Sequence, residues 1–190
     1  MSDAELEEET VASRLIHDGR YIRFRLDTIR DAGGGLHERE IVDHPGAVAI
    51  LPLDGQDLLM VRQFRTAAGR ILLEIPAGTL ERQAGGAVEP PEDAAPRELG
   101  EETGFAAGTW RRLGSFWTAP GFASELMTLY LATDLSPLAD YSGPEPDERL
   151  DLVRLPWREA LRRAEAGAIE DAKSLVGILW LARLAERGEL

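Results

Sequence analysis

A chain of 190 residues, 44% apolar and 29% charged, is long enough to bury a full core and reads as one soluble globular domain. Its 21 basic and 34 acidic residues leave a formal net charge of −13, which disfavours duplex nucleic acid and anionic membranes as partners, since both require a basic surface. The absence of cysteine excludes disulfides, thiolate metal sites and cysteine nucleophiles.

Residues 1–10 carry five Asp or Glu and no apolar run, which predicts a frayed acidic tail in place of a signal or transit peptide. With no stretch of transmembrane length, a cytoplasmic location is expected. Strands are predicted over residues 10–17 and 21–29, joined by a hairpin turn at Asp18-Gly19. A glycine-rich turn from Asp31 to Gly35 leads to a strand over 36–44. Residues 47–53 form a nearly continuous apolar run suited to a buried strand. Further strands are expected over 57–65 and over 71–75, the latter running into Pro76-Ala77-Gly78.

A helix follows, and it carries the strongest chemical signal. Glu98 and Glu102 lie four apart, and Glu98 and Glu101 three apart, so all three carboxylates share one helical face. Like charges at that spacing repel by about 0.2–0.5 kcal/mol per pair. A hard divalent cation such as Mg²⁺, which takes carboxylate and phosphate oxygens, gives them a reason to gather. Without their setting, the same residues would equally suit a solvated helix face.

Beyond the helix, residues 110–118 and 126–132 read as strands, with Phe116 and Trp117 as core. Residues 134–148 read as a polar loop with Pro137, Pro144 and Pro146, long enough to be functional or disordered. A last strand over 150–155 precedes helices over 157–166 and 172–187. The second helix has apolar residues at helical spacing, Leu175, Ile178, Leu179 and Ala182.

Glu89, seven residues, Arg97-Glu98-Leu99, one residue, Glu101-Glu102, one residue, Gly104-Phe105 resembles the Nudix box. In that box a glycine stands six residues before the first glutamate, whereas Gly78 precedes Glu89 by eleven, implying a five-residue insertion within residues 82–88. Pro96, directly before Arg97, is a second departure. Inside a helix it would cost about 3 kcal/mol, so the regular helix is expected to begin late, capped by Glu92 or Asp93, or to kink at Pro96. Continuous straight helix from Pro91 to Thr103 would refute this.

Arg39 to Ile50, Val61 to Arg65, Glu74 to Gly78, Ala119 to Phe122 and Gly167 to Ile178 resemble the ADP-ribose pyrophosphatase branch of that superfamily, as does Pro120, sixteen residues after Gly104. The resemblance implies a single Nudix-type α/β/α sandwich with a mixed sheet and an N-terminal antiparallel strand extension. It implies a homodimer in which the strands within residues 11–45 take part. It further implies Mg²⁺, with Mn²⁺ as a substitute, held by Glu98 and Glu102, joined by Glu101 and by the Ala77 carbonyl, with Arg97 orienting the glutamates. Arg20, Arg62, Arg65 and Glu74 become candidates for gripping a nucleoside diphosphate sugar, and Pro120 a specificity marker. The general base is sought in the late acidic segment, Glu148 first, with Glu145, Asp147 and Glu101 as alternatives. The implied reaction is hydrolysis of ADP-ribose to AMP and ribose 5-phosphate. GDP-mannose or ADP-glucose is the alternative substrate, and a nucleotide-binding sensor without turnover is the alternative of a different class.

Overall fold

The apolar run beginning at Ala47 decides the layering of the molecule's larger unit. In the computed structural model, which describes residues 2–83, 85–141, 143 and 149–190, this run is strand β4 (Ala47–Asp54), buried along nearly its whole length. Strand side chains alternate between faces. Ala49, Leu51 and Leu53 therefore join one core with the two C-terminal helices, while Val48 and Ile50 join another with the glutamate-bearing helix. A strand buried on both faces needs no polar alternation, which is why its sequence reads as continuous hydrophobicity.

The chain divides into two units, Ala47–Phe116 with Met127–Leu190, and Met1–Gly46 with Trp117–Leu126. In the larger one, β5 (Asp57–Arg65), β6 (Arg70–Glu74), β7 (Ala77–Thr79), β8 (Phe105–Trp117), β9 (Leu126–Pro137) and β10 (Leu150–Pro156) complete a sheet ordered β10-β5-β4-β9-β8, with β6 on β5 and β7 on β4. Pairing of β4 with β9 is parallel, from Ala47 opposite Met127 to Pro52 opposite Ala132, and β4 with β5 and β7 is antiparallel. The sheet is therefore mixed. The glutamate helix (Pro91–Thr103), numbered α2 in chain order, covers one face. Two C-terminal helices, α3 (Trp157–Glu165) and α4 (Ala172–Glu186), cover the other, giving an α/β/α sandwich.

The smaller unit holds an antiparallel sheet, β1 (Glu9–Asp18), β2 (Arg23–Arg30) and β3 (Leu36–Asp43). The acidic tail is shorter than expected. Residues Asp3–Leu6 form one exposed helical turn, α1, closed by a Ser2–Glu5 capping box, and pairing begins with Glu9 opposite Arg30. The Asp31 turn closes through its own side chain, which accepts the Gly35 N–H at 2.8 Å. Trp117, expected in the core, is 54% exposed, whereas Phe116 packs on the larger core as expected. Strand β9 runs to Pro137, so the polar loop starts later than its composition suggested. None of the helices described is long and apolar enough to cross a membrane.

The expected late start of α2 is corrected. The helix is continuous from Pro91, with Pro90 as its N-cap and neither Glu92 nor Asp93 in that position. Pro91 suits a first helical position, where its missing N–H has no helical partner. Pro96 does delete the bond to Glu92 O, but Glu92 and Pro96 lie on the exposed face, so water can satisfy that carbonyl. The opposite face buries Ala94, Ala95 and Leu99 completely. Burying Leu99 alone contributes about 1.5–3 kcal/mol, enough to offset much of the proline's cost.

The described residues of the insertion form a small hairpin. Glu89 N–H donates to Glu81 O at 2.8 Å, Arg82 bridges Val88, and Gln83 N–H donates to Ala87 O at 2.8 Å. Gly85 and Gly86 supply positive φ at its tip. The extra length thus pairs with itself and delivers Glu89 to the start of α2.

Candidate active site

Glu98, Glu101 and Glu102 come from the last two turns of α2, which ends where Gly104 adopts a left-handed φ of 74° and its N–H returns to Gly100 O at 2.9 Å. Opposite them lies the short strand β7. Ala77 N–H donates to Glu102 Oε2 at 3.0 Å, and Glu102 is 4% exposed. Gly78 is required by the close approach of Glu98, since a Cβ there would lie 1.8 Å from Glu98 Cδ. A backbone edge and two carboxylates are thereby brought together.

Arg97 organises the acidic face. Its Nε and Nη2 engage Glu89 at 3.0 and 2.8 Å, while Nη1 reaches Glu98 Oε1 at 2.8 Å and Glu101 Oε2 at 2.9 Å. Hydrogen bonding to Glu89 leads in raising the Arg97 pKa above the ordinary arginine range, and the same bonds lead in lowering the Glu89 carboxyl. The box glutamate whose spacing was disturbed is therefore the residue that holds the arginine. Among the described residues, no group of three or more carboxylates or imidazoles converges closely enough to hold an ion by itself. Arg97 stands among Glu98 and Glu101, and Glu102 is held by the Ala77 amide.

Behind this face lies a second ionic cluster that sequence reasoning did not assemble. Glu74, expected to grip a ligand, is 1% exposed and sits inside the protein. Arg65 binds it bidentately, Nε to Oε1 at 2.8 Å and Nη2 to Oε2 at 2.7 Å, and Lys173 Nζ bonds the same Oε2. Lys173 also reaches Asp171 Oδ1 at 3.0 Å. Burial pushes the Glu74 carboxyl upward, but the Arg65 hydrogen bonds and the Lys173 charge outweigh it and leave the pKa below 4.5. Both Glu74 oxygens are thus already taken by side chains of the same unit. A carboxylate so enclosed, with both oxygens taken by cations, has the geometry of a brace. The Asp171-Ala-Lys-Ser174 run was the available signal, an N-cap aspartate with a lysine two residues on.

The other expected residues fall in different places. Arg62 is exposed on β5 and pairs with Asp151 at 3.1 Å. Arg20 lies in the smaller unit, in the turn between β1 and β2, with its guanidinium 4.8 Å from the Tyr21 ring centroid. Pro120 is in that unit too, in a turn in which Phe122 and Ala123 N–H both donate to Ala119 O, at 3.1 and 2.9 Å. Glu148, with Glu145 and Asp147, lies outside the described residues. The segment leading toward them is tied to α2. Leu138 N–H donates to Gly104 O at 2.8 Å, Tyr141 Oη donates to Glu101 O at 3.3 Å, and the Tyr141 ring packs on Gly104.

Comparison with known proteins agrees with this geometry. The family model of the NUDIX domain matches residues 43–175. An ADP-ribose pyrophosphatase of Bacillus subtilis (strain 168) is 38% identical over 177 residues, covering 93% of each chain. One of Mycobacterium tuberculosis (strain ATCC 25618 / H37Rv) is 40% identical over 177 residues, covering 93% of this chain and 84% of its own. A solved ADP compounds hydrolase superposes with a TM-score of 0.80 over 97% of both chains at 21% identity, a likeness of fold. With the domain model spanning most of the sequence, the box residues assembled around Arg97 and relatives matched nearly end to end, the chain belongs to the Nudix family.

Proposed function

We propose that this chain is a divalent-cation-dependent Nudix hydrolase that cleaves ADP-ribose to AMP and ribose 5-phosphate. The observation that carries the reading is the meeting of the Ala77-Gly78 backbone with the Glu102 and Glu98 carboxylates. Support for the substrate comes from the full-length likeness to two ADP-ribose pyrophosphatases.

The donor set fits a hard cation: carboxylate and carbonyl oxygens, no sulfur, and a glycine where any side chain would fill the space before Glu98. Glu98, Glu102, Glu101 and the Ala77 carbonyl would hold Mg²⁺, with Mn²⁺ as substitute. When bound, the cation supplies neutralisation of diphosphate charge and a lowered pKa for the attacking water.

The remaining work belongs to the chain. Arg97 fixes the rotamers of Glu98 and Glu101, and Glu89 fixes Arg97. Arg65 uses Nε and Nη2 on Glu74, which leaves Nη1 for a diphosphate oxygen, and exposed Arg62 adds a second positive charge. Glu148 accepts the proton of the attacking water. Arg20 and Pro120 contribute to recognition of the nucleoside and sugar.

The fold of residues 1–190 acts as a single Nudix domain whose strands within residues 11–45 serve a homodimer. In support, β1 is exposed along its entire length and presents Val11, Leu15 and Ile16. A cytoplasmic enzyme without nucleic-acid or membrane partners suits the net charge of −13.

Purified protein with Mg²⁺ and a panel of ADP-ribose, ADP-glucose and GDP-mannose tests the reading. AMP and ribose 5-phosphate should form fastest from ADP-ribose. Faster turnover of GDP-mannose overturns the substrate, and binding without turnover of any compound points to a sensor. Light scattering should give twice the chain mass.

A further inference from the structure

Four consecutive residues, Glu74 to Ala77, each commit a polar group to another element of the larger unit. The Glu74 carboxylate is shared by Arg65 and Lys173. Ile75 N–H donates to Ser174 Oγ at 2.8 Å, and Pro76 O accepts from Ile50 N–H at 2.8 Å. Ala77 N–H then donates to Glu102. The first two attachments reach α4 behind the sheet, and the last reaches α2 in front of it.

The rear attachment is itself rigid. Asp171 caps α4 by accepting Ser174 N–H at 2.9 Å, and the Ser174 hydroxyl donates to the same Asp171 oxygen while accepting from Ile75. That leaves the serine with no rotational choice. Two cations, Arg65 and Lys173, face two carboxylates, Glu74 and Asp171, so the cluster around buried Glu74 is neutral. Close packing adds to this, since a Cβ at Gly177 on α4 would come within 3.0 Å of Ile75 Cδ1. Between the Ile75 and Ala77 attachments stands Pro76, whose ring fixes φ and removes slack. α4 and the Ala77 amide are therefore joined through Ile75 and Pro76 by a short, stiff route.

We propose that Ser174, with Lys173 beside it, is a positioning residue that sets from behind the sheet where the Ala77-Gly78 backbone meets Glu102 and Glu98. A buried network that only held the fold together would need no connection to the front face. Here the connection is one proline long. The inference rests on the reading of Glu98, Glu102 and Ala77 as the cation site.

Calorimetric titration of Mn²⁺ into the protein without substrate, beside kcat and KM for ADP-ribose, tests it. Outer partners of metal ligands typically carry about 10–100-fold in affinity or activity. Ser174→Ala should weaken Mn²⁺ binding and lower kcat within that range, on the order of 10–100-fold, with KM little changed. Lys173→Met, which keeps the volume and removes one cation from Glu74, should do the same more weakly. In the unmodified protein, Mg²⁺ should slow hydrogen exchange of the Ile75 amide together with that of Ala77, a readout that needs no variant to fold. Parent-like Mn²⁺ affinity in folded Ser174→Ala, or an Ile75 amide indifferent to Mg²⁺, overturns the proposal. Glu102→Gln separates the two readings. If it binds Mn²⁺ like the parent, the cation site is misplaced. If it loses Mn²⁺ while Ser174→Ala does not, the positioning role alone fails.

Discussion

Two ionic clusters lie on either side of one short stretch of backbone, and they are built in opposite ways. Behind it, Glu74 and Asp171 meet Arg65 and Lys173, two charges against two, with Glu74 1% exposed. In front, among the described residues, one guanidinium, that of Arg97, is shared by Glu89, Glu98 and Glu101, with Glu102 close by on the same helix. A charge-matched cluster around a buried carboxylate has no excess negative charge to draw in a cation. An acidic cluster with negative charge in excess lowers its energy by taking one, which is what a site for a cationic cofactor and an anionic diphosphate requires. Charge balance, not the number of carboxylates, separates the brace from the site.

The largest expected effect tests the front cluster. Glu102→Gln keeps an oxygen to accept the Ala77 N–H but removes the negative charge. Metal charge stabilisation amounts to several kcal/mol and about 1.4 kcal/mol is tenfold in rate, so ADP-ribose turnover should fall on the order of 10³-fold. The melting temperature should stay near the parent's. A rate within tenfold of the parent would break the assignment of roles to the two clusters.

The complementary change, Glu74→Gln, should show itself first in stability. It leaves Arg65 and Lys173 facing a neutral amide, and removing one member of a buried pair costs about 3–5 kcal/mol. Urea unfolding should show that loss with its slope unchanged. A cost below about 1 kcal/mol would mean that the rear cluster behaves like a surface pair.

Gly78→Ala sharpens the contrast without touching a charge. The new Cβ meets the end of a flexible side chain, the Glu98 carboxylate, so the residue yields and the fold survives. A displacement of about 1 Å in such a site can cost on the order of 10²-fold in rate. Turnover should fall by that order while urea stability stays close to the parent's.

Acidity distinguishes the clusters more gently. The Glu74 carboxyl is held below its ordinary value of 4.5, so its pairing contributes fully above that pH and is lost as pH falls through the lower folded value. Parent protein should lose stability steadily below about pH 4.5, and Glu74→Gln should lose less over the same window. Parallel stability curves for the two proteins would show that the rear cluster is not what acid disrupts.

These tests also mark what could be read from sequence. The strands showed themselves through period and turn chemistry, and the front cluster through helical spacing, because both are local properties of the chain. The rear cluster joins Glu74 to Lys173 across 99 positions, and no local pattern reveals that two strongly charged side chains will be buried against each other. The sequence around Glu74 therefore gave no sign of its buried pairing. Pro96 misled for a related reason, since its cost depends on whether the carbonyl of Glu92 faces core or water, a tertiary fact. The displaced glycine spacing before Glu89 did signal an insertion, but not that the inserted residues would pair with themselves.

That hairpin offers the smallest and last test of the comparison. Glu89 belongs to the front cluster through Arg97, yet it arrives at the end of inserted residues. If the hairpin only spans distance, replacing residues 82–88 by Asn-Gly should keep Glu81 and Glu89 opposite one another as a two-residue hairpin. Loop-closure entropy varies slowly with length, about 0.6 kcal/mol per doubling, so stability should move by no more than about 1 kcal/mol. Arg97 would still find Glu89, and turnover of ADP-ribose should stay near the parent's. A fall as large as that expected for Gly78→Ala would mean that the insertion shapes the acidic face itself. The excess of negative charge there would then depend on the hairpin as well as on the helix.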